Sequence, residues 1–593
     1  MKLKYILPVV VFVCSALFTS CVKDLEVQNI NPQEVSDFNE DYIFNKIYGN
    51  LVLTGQTGPN GDSDLDDIDE GTSNMTRLIW NLNTLTTDEG HCWWNDPGMP
   101  ELNRNTWTNS NVMIKALYYR LMFGVTLCNF YLENANSDDA VTKQKRAEAR
   151  FMRALHYFYL MDIYANPPFL TKLSSENAPQ IQRADLFTFL ESELKDVAGE
   201  GDGTEKTVTL SKLDGTSTYS WTSITDEVLG DPKSVDYGRA DKAAAYMLLA
   251  RMYVNAEVYT GTPRWTEAKT YADKTIGTSY KLCTEGKNGF SAFQLLFMGD
   301  NDTNGAQNEI ILPALHDGEA TQTWGGSLFM IAAPMSESMK QEHLYGTDTD
   351  PDYAGTLAAS VTGNGTTEAW DIGLRARKEF SMVFFGDKAN DNSVMTAGGA
   401  PYQCVKGVGD DRAIFYTSTQ KLSIQKEDDK NQGLIYLKFN NIHSDGTKGH
   451  HSNGQFVDTD YPMMRLAEAY LISAECDARL NNNECTSNGI ERIKALRVRA
   501  NVRTGNTYDG LGAEAINKVT LDDILKEWSR EFGFEGMRRM VLIRFGRYAG
   551  QSEYTWEWMG GSQAGKPIDK RFNIFPIPDS ELNANSNIKP NYK

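Results

Sequence analysis

Between Val141 and Tyr164 the chain carries the one pattern that most restricts its fold. Ala147, Phe151, Ala154, Phe158 and Met161 recur at helical spacing, with Met152, Leu155, Tyr157, Tyr159, Leu160 and Ile163 between them. The C-terminal half of such a helix is apolar nearly all round, and a helix of that kind belongs in an interior. Asn166-Pro167-Pro168 ends it, because proline supplies no backbone N–H. A protein built on this segment must wrap other helices around it.

The chain offers several. Tyr42 to Leu53 and Met113 to Asn134 read as helices, the second pairing with Val141 to Tyr164. Ala240 to Val258 places Ala243, Tyr246, Ala250 and Tyr253 on one face, and Trp265, Ala268, Ala272 and Ile276 mark a returning helix. Met463, Ala467, Leu471, Ala474 and Ala478 begin a third pair, returned by Ile490, Ile493, Leu496 and Ala500; Leu521 to Phe545 reads as one long helix. Small residues at crossing points with aromatics around them let helices approach closely, as in tetratricopeptide-type pairs. The expected class is mainly α: helix pairs packed against an irregular, loop-rich half. Long segments rich in Gly, Asn, Asp and Thr, Gly199 to Asp236 and Asp317 to Asn440, separate the pairs, and segments of that length usually carry function.

The first twenty residues are a secretory signal. Lys2 and Lys4 precede an apolar run, Tyr5 to Val13, too short to span a bilayer, and small residues lead to Cys21. Phe18-Thr19-Ser20-Cys21 resembles a bacterial lipobox, with Phe18 in place of the usual leucine, and implies a lipid on Cys21. Each buried methylene of such a lipid contributes about 0.8 kcal/mol to membrane attachment. A net charge of −21 argues against nucleic acid as a partner. Cys92, Cys128, Cys283, Cys404, Cys476 and Cys485 are scattered without zinc spacing; Cys476 and Cys485 are either a pair or two buried thiols. His450-His451 reads as loop composition.

Four of the eleven tryptophans fall between Leu78 and Trp107. Trp93 and Trp94 stand between a polar turn, Thr86 to Gly90, and a breaker, Asn95-Asp96-Pro97-Gly98. Adjacent tryptophans in a turn cannot both join a helical stripe, so at least one indole faces solvent. A sugar ring asks for that surface, an apolar face with amide and carboxylate groups at its rim.

Other constellations compete. Glu527, Glu531 and Glu535 lie four apart on one helix near Arg530, Arg538 and Arg539. Paired glycosidase acids flank an open cleft, whereas i,i+4 acids among arginines make a structural ion network, which is the expectation here. Asp88, Glu89 and His91 are a better catalytic set, although a binding loop uses the same groups. Asp300, Asp302 and Asn304 open like a calcium loop, but the twelfth position is Ile311, so a bound calcium would be structural. Asp62, Asp64, Asp66, Asp67 and Asp69 read as solvated turn residues.

Several motifs carry a resemblance that covers the mature chain in order. Gly238-Arg239-Ala240-Asp241-Lys242-Ala243-Ala244, Arg146 to Leu155, Arg465-Leu466-Ala467-Glu468-Ala469-Tyr470-Leu471, Arg530 to Arg539 and Phe575-Pro576-Ile577-Pro578 resemble the SusD/RagB family of Bacteroidetes outer-membrane glycan-binding lipoproteins. The resemblance implies a cap on a SusC-type TonB-dependent transporter that delivers oligosaccharides to it without cleaving them. It is nearest to the starch-binding branch. Arg77 falls where that branch has a sugar-contacting arginine, and Trp94 and Trp324 fall at stacking aromatics. Cys92 stands in place of a principal stacking tryptophan, and no tryptophan closely follows Trp324.

The expectations are these. Residues 1–20 are a lipoprotein signal and 21–593 one SusD-like body, with parts at about 21–236 and 237–593. Trp93, Trp94 and Trp324 stack on a neutral or weakly charged oligosaccharide, and Arg77, Asp88, Asn95 and Asp96 contact its hydroxyls. No cofactor is required; any calcium bound at Asp300, Asp302 and Asn304 would be structural. A secreted glycoside hydrolase and a peptide-gripping helical scaffold are the alternatives.

Overall fold

The computed structural model describes residues 38–346, 362–386, 399–418, 420–449, 454–500, 502–503, 506–507 and 516–592. The signal, Cys21, the residues that follow it up to 37, and His450-His451 lie outside the described residues. Phe44–Lys593 forms one compact unit.

The apolar helix ending at Tyr164 is central. The helix Ala140–Tyr164 is buried at every position from Ala147 onward. It packs against Val112–Asn134, and both start on side-chain caps: Asn111 accepts the N–H of Met113 at 3.1 Å, and Asp139 that of Val141 at 2.9 Å. The expected pairs follow. Lys242–Val254 packs on Trp265–Ile276, and Leu466–Leu480 packs on both Trp265–Ile276 and Ser487–Arg499. Arg251 joins two of these layers, its guanidinium donating to both oxygens of Glu468 at 2.6 Å. The class is mainly α, with tetratricopeptide-like helix pairs.

Three local expectations change. Leu521 to Phe545 is two helices, Leu521–Phe532 and Arg538–Arg544, because Gly533–Met537 turns sharply with Phe534 at φ 64° and Gly536 at φ 68°. Lys438 Nζ fastens that break, donating to the carbonyls of Glu531 at 3.2 Å and Gly533 at 2.9 Å. Met463 lies in a strand, Tyr461–Arg465, paired antiparallel with Ile310–Ala314. Gly199 to Asp236 contains a hairpin, Glu205–Lys212 with Gly215–Thr222, whose Tyr219 and Trp221 pack on Phe189. Its alternation of Ser/Thr with Val, Leu, Tyr and Trp was the readable signal.

The three acids form a structural network, as expected, but Glu535 lies in the break and not on the helix, and the main partners come from elsewhere in the chain. Glu531 pairs with Arg465 at 2.6 Å, with Arg412 at 3.1 Å and with Arg499; Glu527 pairs with Arg412 at 2.7 Å; Glu535 pairs with Arg465 at 2.7 Å. All six are buried. The Asp-rich loop is tied to the helices behind it, Asp64 to Lys46 at 3.0 Å and Arg120 at 3.1 Å. Cys476 and Cys485 are separate buried thiols. Among the described residues no helix is long and apolar enough to cross a membrane.

Candidate functional site

The Leu78–Trp107 stretch reaches the surface through a short ladder. Helix Met75–Trp80 starts on Asn74, whose side chain accepts the Arg77 N–H at 3.0 Å. A π-helical turn follows, and the strand Gly90–Cys92 then pairs antiparallel with Leu374–Ala376, His91 opposite Arg375. Trp93 N–H donates to the Gly373 carbonyl at 3.2 Å, so Trp93 and Trp94 emerge beside the turn Trp370–Gly373.

That turn organises the tryptophans. Asp371 and Ile372 both have left-handed backbones, φ 52° and 57°, which a β-branched residue rarely adopts. Surrounding structure imposes it: Trp370 N–H donates to the Ala332 carbonyl and Ile372 N–H to that of Met335, both at 2.9 Å. The Asp371 carbonyl accepts the indole N–H of Trp93 at 3.3 Å. Gly373 lies under the Trp94 ring, where a Cβ would overlap the indole.

Trp370 is the residue the sequence reading missed. Its ring centroid lies 6.2 Å from Trp94 and 6.4 Å from Trp324, tilted 50° to each. The three half-buried indoles form a continuous ridge, extended beyond Trp324 by the buried Phe456 at 5.0 Å and backed under Trp94 by Phe329 at 6.1 Å. The tryptophan beside Trp324 thus comes from further along the chain. The available signal was Trp370-Asp371-Ile372-Gly373, an aromatic before a turn that leads into a strand. Trp93 stands apart, and among the described residues no ring contact joins it to the ridge. Trp324 is seated by Gly71, where a Cβ would lie 2.6 Å from that of Trp324, and its indole N–H donates to Asn60 at 3.3 Å.

Arg77 lies below, 6% exposed, its guanidinium 4.3 Å from the Phe329 ring centre. Its Nε has no hydrogen-bond partner, and burial lowers its pKa against the opposing pull of Asp69. Such a cation is short of acceptors. Asn95 and Asp96 are exposed at the rim.

Asp88 is a correction. It is 1% exposed, and its carboxylate is taken by Arg538 at 2.7 and 2.8 Å and by the Tyr554 hydroxyl at 2.6 Å. Burial pushes its pKa up, but Arg538 more than offsets this, so it stays ionised below the usual range. Its neighbours are equally committed. Glu89 accepts the Phe534 N–H at 3.2 Å, and burial raises its pKa to about 8. His91 is held at about 3 by burial, with Arg375 and Arg377 adding to it. A guanidinium only donates, so His91 Nδ1 accepts from Arg375 at 3.2 Å and the Nε2 proton points to Glu427 at 3.1 Å. With all three side chains about 1% exposed, the catalytic alternative at these residues loses its access to solvent.

The calcium expectation also meets an obstacle. Asp300 Oδ1 accepts from Asn304 at 3.1 Å and Oδ2 from the Ser444 N–H at 2.9 Å, so the loop closes on its own hydrogen bonds. Among the described residues no three acidic, histidine or cysteine side chains converge as metal ligands. Cavities of about 590 Å³, beside Lys281 and Tyr470, and 490 Å³, beside Ile68 and Phe123, lie away from the ridge.

Known proteins share this architecture. The SusD family profile matches residues 293–593, and one described as "Starch-binding associating with outer membrane" matches residues 25–202. The starch-binding protein SusD of Bacteroides thetaiotaomicron is 32% identical, over 100% of this chain and 99% of the relative. Among solved structures, surface glycan-binding protein A of the same species, in complex with laminarihexaose, aligns with a TM-score of 0.59 at 17% identity, covering 93% of this chain and 98% of the other. A SusD-like carbohydrate-binding protein of Bacteroides fragilis aligns with a TM-score of 0.60 at 16% identity and the same coverage. These relatives carry names for binding carbohydrate, not for cleaving it.

Proposed function

The chain belongs to the SusD family, and from that membership we propose that it captures oligosaccharides on the ridge Trp94–Trp370–Trp324 and delivers them, uncleaved, to a SusC-type TonB-dependent transporter in the outer membrane. A lipid on Cys21 holds it at the membrane, with the body on the outer side. The observation that carries the reading is the ridge: three adjoining indoles, half exposed, beside an arginine short of acceptors.

The tilts favour one shape of ligand. Successive rings turned by 50° share no plane, so a flat ribbon of sugars cannot stack on all three. A curved, neutral glucan can. Arg77 and the exposed Asn95 and Asp96 serve its hydroxyls, whereas Asp88 supports the loop from behind. Ring stacking with water-competed hydrogen bonds gives micromolar to millimolar affinity, about −8 to −4 kcal/mol, weak enough for release toward a transporter.

A glycan array with the lipid-free mature chain tests this. Binding of neutral glucans without release of reducing ends supports it; indifference to every saccharide, or cleavage, overturns it.

A further inference from the structure

Beside the ridge stands a carboxylate that has no cation partner among the described residues. Glu368 Oε2 accepts the indole N–H of Trp370 at 3.0 Å, and Oε1 accepts from Gln455 at 3.5 Å. Among the described residues no lysine, arginine or histidine pairs with it. The lysine bonded to the adjacent residue is engaged elsewhere: Lys340 Nζ donates to Glu337 at 2.8 Å and to the Thr367 carbonyl. Asp371, on the same turn, differs, since Lys430 neutralises it at 2.5 Å. The Glu368 backbone is fixed as well, its N–H bonded to the Thr366 hydroxyl at 3.0 Å, while Thr367 N–H bonds the Gly454 carbonyl at 2.9 Å.

We propose that Glu368 is a positioning and selecting residue of this site: it sets the ring of Trp370, and its uncompensated charge discriminates against anionic saccharides. The inference rests on the ridge being the glycan surface. An indole N–H needs only a neutral acceptor, which an amide oxygen would supply. A carboxylate makes a stronger bond and also places a full negative charge at the edge of the central stacking ring. A uronate or sulfate bound there meets it, while Arg77, 6% exposed and with its guanidinium against the Phe329 ring, lends the surface of the site little positive charge.

The test compares wild type, Glu368→Gln and Glu368→Ala of the full mature chain. Binding is measured for a neutral malto-oligosaccharide and an oligogalacturonate of equal length, at low and at physiological salt. Glu368→Gln keeps an acceptor and removes the charge. Neutral affinity should stay within about twofold while uronate binding tightens about three- to tenfold, more at low salt. Glu368→Ala should lower neutral affinity about fivefold and shift the Trp370 indole N–H resonance in tryptophan-labelled protein. Unchanged uronate binding in Glu368→Gln overturns the selecting role, and an unmoved resonance in Glu368→Ala overturns the positioning role. The resonance needs no ligand, so it reports even if wild type binds no neutral saccharide, an outcome that would instead remove the ridge as the site.

Discussion

Gly373 lies so close beneath the indole of Trp94 that a Cβ added there would overlap the ring. Gly373→Ala should therefore displace Trp94, or the turn beneath it, and weaken saccharide binding at least about fivefold while helical circular dichroism is unchanged. Gly407→Ala is the control, because a Cβ at that helical glycine meets nothing within 4 Å. It should leave binding unaltered and stabilise the chain by up to about 1 kcal/mol. Equal binding by both variants would remove the Gly373–Trp94 contact from the site.

Trp370→Ala and Trp324→Ala should each cost about 1–2 kcal/mol of binding, roughly five- to thirtyfold, measured by calorimetry. Trp370 sits between two rings, so its loss should be the larger. Trp93→Ala should cost less, since its indole N–H is tied to the Asp371 carbonyl and it stands outside the ridge. The reverse order would relocate the site.

The buried ion network should dominate acid sensitivity. Arg499, Arg465 and Arg412 hold the Glu531 pKa at about 2 against its burial, and Arg150 and Arg153 do the same for Glu193. A depressed carboxylate contributes stability that is fully present above its unfolded pKa of about 4.3 and is lost as pH falls through its folded value. Urea midpoints should accordingly drop between about pH 4.3 and pH 2. Glu531→Ala should destabilise by about 3–5 kcal/mol at neutral pH, because it strands buried arginines; a loss under about 1 kcal/mol would contradict this assignment.

Glu89 predicts the opposite slope. Its folded pKa, about 8, lies above its unfolded one, so folding retains a proton that the unfolded chain releases. Its contribution is full below pH 4.3 or so and disappears as pH rises through the folded value. Glu89→Gln keeps an acceptor for the Phe534 N–H and has no charge to bury. Thermal melts should show the variant close to wild type at acidic pH and more stable in alkali. Parallel curves would refute it.

The body plan was legible from local chemistry. Spacing at Ala147, Phe151, Ala154 and Phe158 marked the interior helix, Asn166-Pro167-Pro168 ended it, and Trp93-Trp94 before Asn95-Asp96-Pro97-Gly98 marked an aromatic surface turn. Such signals act over a few residues, so they survive in one dimension. Gly533–Met537 was harder, because the break in that helix is secured by Lys438 from another part of the chain.

Convergence was decided only in three dimensions. Asp88 reads as a loop carboxylate until Arg538 and Tyr554 close on it, and Trp370 reads as one indole in a long loop until His91 pairs with Arg375 and brings it beside Trp94. The sequence by itself determined most of the helical segments, where the central one stops and that tryptophans reach the surface. The tertiary structure decided which tryptophans meet and which acids are sealed. Periodicity and capping are set by neighbours along the chain, whereas register between distant strands is set by packing that no single segment contains.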